Sequence, residues 1–227
     1  PTPDPLPVAA AGYFPTIPTP PTGTQPATTL SEALAAAEAG ADAIIAQGFE
    51  AGGHRGAFDN GRSEQQAVGL FALLPRVADR IEIPIIAAGG IGDARGIAAA
   101  LTLGASAVQI GKALLATPES ETPEAWADAL ARTEPEQTIP TRAFSGRLGR
   151  ALATNYVRAA EAPSAPRPAP YPVQRVLTAT MRADAVKSND LQRMQAWAGQ
   201  SAWMASREPA SVFVTRIWEE AQKLLPA

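Results

Sequence analysis

Three short apolar runs each end on glycine. Asp42–Gln47 runs into Gly48, Ile83–Ala88 into Gly89-Gly90, and Ser106–Ile110 into Gly111. Between them lie segments of helical period closed by Gly40 and Gly104. Near-continuous apolar strands alternating with helices are the pattern of a parallel sheet covered by helices. Ser31 is expected to cap a helix over 32–38. A second helix is expected over 64–79, and Asp93 should cap a third over 94–103. Pro84 falls at the start of its strand, where a missing amide donor is tolerated. Gly40-Ala41-Asp42-Ala43-Ile44 recurs as Gly104-Ala105-Ser106-Ala107-Val108, 64 residues later. That spacing equals two strand–helix units of about 32 residues each. It favours an α/β fold of the (β/α) barrel type over a dinucleotide-binding sheet.

Composition narrows the chemistry. The 227 residues are 46% hydrophobic and 18% charged, with a net charge of −3. Such a balance argues against a nucleic-acid surface. No cysteine and a single histidine exclude disulfides and thiol nucleophiles and leave almost nothing for a zinc or copper site. No apolar run approaches the roughly 18 residues of a membrane span, and no basic residue precedes Arg55. The expectation is a cytoplasmic protein without membrane, nucleic-acid or metal partners.

The ends of the chain differ from its middle. Residues 1–27 hold nine prolines and are expected to be irregular. Thr117-Pro118-Glu119-Ser120 should open a helix carried on through Leu130. A further helix is expected after Arg147, and residues 163–172, with five prolines, read as a connector. The rest reads as two or three amphipathic helices around Trp197, Trp203 and Trp218. Arg142, Arg147, Arg150 and Arg158 read as a solvated helix face.

The glycines are the first candidates for chemistry. A phosphate is met by several converging backbone amides, and side chains at those positions block its approach. Gly89 and Gly90, just before the helix at Ala94, fit this, and Gly111 can supply a second wall. Barrels commonly hold phosphate at such strand ends. His54 lies on the same sheet edge, in Ala51-Gly52-Gly53-His54-Arg55-Gly56. It is the one side chain here that exchanges a proton near neutral pH. Arg55 reads equally as an anion contact or a solvated arginine. Gln47 and Gln109 are amides where apolar residues are expected, and each either satisfies a loop or reads a heterocycle edge.

These residues resemble the nitronate monooxygenase family. The resemblance rests on Gln47-Gly48-Phe49-Glu50-Ala51-Gly52-Gly53-His54 and on Ile85-Ile86-Ala87-Ala88-Gly89-Gly90-Ile91-Gly92-Asp93. It also rests on Gly104 through Gly111, on Ala143-Phe144-Ser145-Gly146 and on Trp197-Ala198-Gly199-Gln200. It implies an FMN enzyme on a TIM-type barrel with a helical substrate segment, converting nitroalkanes or nitronates, with oxygen, to carbonyl compounds and nitrite. Carried over by position, His54 is the catalytic base. Gln47, Gly52 and Gly53 fall on the flavin side, with Gly89, Gly90, Gln109, Ile110, Gly111 and Lys112 at the phosphate and ribityl end. The family has threonine or serine where Lys112 stands; a lysine there either pairs with phosphate or crowds the pocket.

The resemblance also implies eight strands, whereas three are legible, matching the last three strand–helix units. The expectation is therefore a partial TIM-type barrel over 28–135 with a helical segment over 136–227, from a shortened chain that binds FMN weakly or not at all. A non-catalytic fragment, or a related FMN barrel reducing quinones or enoyl thioesters with NAD(P)H, are the alternatives.

Overall fold

The computed structural model describes Ala9–Ala10 and residues 23–226. Two sheets organise them. The larger is parallel and five-stranded: β1 (Ala9–Ala10), β2 (Thr24–Ala27), β3 (Ala43–Gln47), β5 (Ile85–Ala88) and β6 (Ala107–Ile110), in the order β1-β6-β5-β3-β2. The smaller is antiparallel, β4 (Gly53–His54), β8 (Gly149–Leu152) and β7 (Thr138–Thr141) in the order β4-β8-β7. Helices α1 (Leu30–Glu38), α2 (Leu70–Ala78) and α3 (Ala94–Thr102) connect the parallel strands. The chain is thus α/β, with consecutive strand–helix units of a TIM-type barrel followed by a largely helical segment. Among the described residues no helix is long and apolar enough to cross a membrane.

The three strands read from the sequence are all present, and two more join them. Thr24–Ala27 and Ala9–Ala10 lie inside the segment expected to be irregular. β2 pairs with β3, and β1 sets Ala9 opposite Gln109 at the other edge. The rest of residues 1–22 lies outside the described residues. β2 is short and contains Pro26, so it carries none of the apolar signal of its neighbours; as an edge strand it tolerates the proline.

Capping residues set the helix starts. The side chain of Thr29, not Ser31, accepts from Glu32 N at 3.2 Å and caps α1. The Glu32 carboxylate in turn accepts from Thr28 N, Thr28 Oγ1 and Phe58 N, each at 2.7 Å. Asp93 caps α3 as expected, accepting from Gly96 N at 3.0 Å. α2 begins at Leu70 rather than near Glu64. Its N-cap is Gly69, which has no side chain, and the Glu50 carboxylate accepts from Leu70 N at 3.0 Å instead. A cap twenty residues away in sequence is invisible to local pattern.

Beyond β6 come α4 (Glu124–Leu130), α5 (Asn155–Ala160), α6 (Val173–Leu177), α7 (Ala179–Lys187) and α8 (Ala210–Gln222). Pro118–Ser120 forms a separate 3-10 turn, so the helix expected from Thr117 starts only at Glu124. Trp197 is not helical; it forms an isolated antiparallel bridge with Ala151. Trp203 sits in a 3-10 turn, and of these three only Trp218 lies on an α-helix. Phe213, Ile217 and Ala221 of α8 are buried in the same core as Ile97 and Ala100 of α3, so α8 packs beside α3 against the parallel sheet.

The arginine stretch is not one solvated face: Arg158 alone of the four is exposed, on α5, and the other three are engaged. Arg150 is 6% exposed on β8 and donates to Phe49 O and Thr138 O, each at 3.0 Å. Arg142 donates to Asn60 O at 2.7 Å, and Arg147 to Ala57 O at 2.8 Å. These guanidiniums fasten the second sheet to the loop around His54.

Candidate functional site

The strand register brings the three glycine-ended strands level. Gln47 of β3 stands opposite Ala88 of β5, and Ala88 opposite Gln109 of β6. A cleft of about 160 Å³ opens at these ends, smaller than the roughly 300–1,000 Å³ typical of small-molecule sites. Of the residues singled out above, Gln47, Gly52, Gly89, Gly90, Gln109, Gly111 and Lys112 line it; Gly53, His54 and Ile110 do not. Ile110 points into the hydrophobic core. Glu50, Ala51, Ile91, Gly199 and Ser201 also line the cleft and were not among the sequence candidates. Gly199 lies in the resembling segment 197–200, so a signal for it was present.

The glycines serve different ends. Gly89 and Gly90 have φ of 99° and 73°, a region side chains avoid. A Cβ on Gly89 would also approach Ala51 N to 3.0 Å. Gly52 is constrained by the protein itself: a Cβ there would collide with Lys112 Cε and with the Ala198–Gly199 backbone. Gly111 has an ordinary φ of −112°, and a Cβ there would meet nothing within 4 Å. Nothing in the protein requires glycine at 111, and the space a side chain would take belongs to the cleft.

Two charged side chains line the cleft. Glu50 is committed to Leu70 N. Lys112 crosses from the end of β6 to lie against Gly52, and no carboxylate pairs with it among the described residues. Burial pulls its ammonium down from 10.5 to about 8. The exposed Gln109 amide makes no hydrogen bond to the described protein, whereas Gln47 is spent on the loop. Gln47 Nε2 donates to His54 O at 3.2 Å, and Gly56 N donates to its Oε1 at 2.8 Å.

His54 sits two residues beyond Gly52, the nearest wall residue on its segment. β4 holds it opposite Gly149. Its Nε2 lies 2.7 Å from Ser145 Oγ, and its ring packs edge-on to Trp197 and Tyr171 at 5.1 and 6.3 Å between centroids. Burial first, then the charges of Arg147 and Arg175, hold its pKa below 6.5, so the ring is neutral at pH 7. Arg55 faces neither cleft nor solvent. It is 6% exposed and donates to Gln47 O, Thr28 O and Gln66 O, and both it and Arg150 lie over the Phe49 ring, at 5.2 and 4.7 Å. It is a structural strut.

The family model described as nitronate monooxygenase matches residues 23–220. A protein named probable nitronate monooxygenase from Staphylococcus aureus (strain MSSA476) is 38% identical over 199 residues, 88% of this chain and 56% of the relative. The crystal structure of nitroalkane oxidase from Streptomyces ansochromogenes superposes with a TM-score of 0.81 at 43% identity, over 88% of this chain and 57% of that one. FabK from Thermotoga maritima superposes with a TM-score of 0.72 at 31% identity, over 88% and 61%. The chain spans a little over half the length of the relatives it matches.

Proposed function

We propose that this chain, which belongs to the nitronate monooxygenase family, contributes the flavin-phosphate cleft and the base of an enzyme that converts nitroalkanes and alkyl nitronates, with oxygen and FMN, to carbonyl compounds and nitrite. The observation that carries this reading is the cleft at three level strand ends, with an ammonium inside it that has no carboxylate partner.

The residues present fit a phosphate monoester. Backbone at Gly89, Gly90 and Gly111 can be approached closely, and Lys112 offers a positive charge to an anion. Gln109 would hold a hydroxyl of the ribityl chain or an edge of the ring. FMN, when bound, supplies the redox chemistry and the reaction with oxygen. His54 takes the α-proton of a neutral nitroalkane. With the Ser145 hydroxyl donating to Arg147 O, Nε2–H donates to Ser145 Oγ, and the ring nitrogen left for that proton is Nδ1. The Gln47 side chain holds the His54–Gly56 backbone to the end of β3 and keeps the base beside the cleft. A nitronate has already lost this proton and does not need the base.

Anaerobic mixing of the FMN-loaded protein with ethylnitronate, NADH or NADPH tests the reading. Rapid flavin bleaching by the nitronate is expected. Bleaching by a nicotinamide alone would contradict it and point to a nicotinamide-dependent reductase.

A further inference from the structure

We propose that Lys112 makes the cleft a covalent site for phosphate-bearing aldehydes when flavin does not fill it, the ε-amine forming an imine while the strand-end glycines receive the phosphate. This rests on reading the cleft as a phosphate site and adds a reaction that flavin binding does not need.

The geometry supplies three requirements of such a site. The amine is confined, because Lys112 Cε packs against Gly52 where a Cβ would collide. It is unpaired: no carboxylate bridges it among the described residues, and Glu50, the acid of the cleft, is turned to Leu70 N. An anion-receptive wall lies alongside, at Gly89 and Gly90 with open space at Gly111. Burial without a counter-charge also favours the neutral, nucleophilic amine. With its pKa near 8, Lys112 at pH 7.5 holds roughly a hundredfold more free amine than an ordinary lysine.

The step balances without a cofactor. The ammonium gives a proton to solvent, and the amine nitrogen attacks the aldehyde carbon. The carbinolamine then loses water, leaving a C=N bond. Borohydride reduces that bond to a stable secondary amine.

The chain has only three lysines, and the other two, Lys187 and Lys223, are exposed, so the test is clean. The flavin-free protein is treated with substoichiometric pyridoxal 5′-phosphate at pH 7.5, reduced with borohydride and mapped by peptide mass. FMN binding is measured on the same preparation. Label is expected at Lys112 at least about tenfold above either other lysine. Inorganic phosphate and FMN should suppress it, and pyridoxal without phosphate should give little. The Lys112→Met variant should lose this label and keep the background at the other two. Equal labelling of all three lysines, or label at Lys112 indifferent to phosphate, overturns the proposal. If FMN binds while Lys112 stays unlabelled, the imine site fails and the flavin reading stands. If neither occurs, both fail.

Discussion

At the scale of single residues, His54 and Ser145 carry the sharpest consequences. His54→Asn should retain FMN and lose about 100- to 10,000-fold in turnover of neutral nitroalkane, with turnover of the preformed nitronate nearly unchanged. Steady-state kinetics on the two substrate forms checks this, and equal losses on both would remove the base assignment. The pH dependence has a defined sign. The base works only when neutral, and burial with Arg147 and Arg175 lowers its pKa. The acid limb of kcat/KM for nitroalkane should therefore fall below pH 6.5. Ser145→Ala should raise or broaden that limb by freeing the tautomer, without loss of bound flavin.

At the scale of elements, the strand ends separate folding from binding. Gly90→Ala places a side chain at φ 73°, which costs about 1–2 kcal/mol. Urea unfolding and FMN titration should both show the damage. Gly111→Ala meets neither strain nor protein atoms. It should leave unfolding unchanged and weaken FMN alone; unchanged affinity would move the phosphate elsewhere.

These same elements show how far the sequence could be read. β3, β5 and β6 were legible because, apart from Gln47 and Gln109 near their ends, their residues are apolar. The second sheet was not. β4 is two residues long, β7 contains Pro140, and β8 carries the buried Arg150, whose burial is satisfied by carbonyls distant in sequence. Gly89, Gly90 and Gly111 were legible as residues gathered at the strand ends. That Gly52 answers to Lys112 and Gly199, and that Gln47 is spent on a loop, depend on contacts between segments far apart in the chain. Glu50 and Ser201 sit in the cleft through the same long-range packing.

At the scale of the whole molecule, the last helix and the sheet depend on each other. Phe213, 3% exposed, and Ile217, 1% exposed, close the core from the end of the chain. Phe213→Ala should cost about 3–5 kcal/mol and lower the melting temperature in a single transition. The account's central claim is that this assembled edge grips the anionic tail of a flavin. The most direct test is a parallel fluorescence titration of the protein, and of its Lys112→Met variant, with FMN and with riboflavin, which lacks the phosphate. FMN is expected to bind far more tightly than riboflavin, with most of that advantage lost in the variant. Equal affinity for the two flavins in the unsubstituted protein, or an undiminished FMN advantage in the variant, would contradict it.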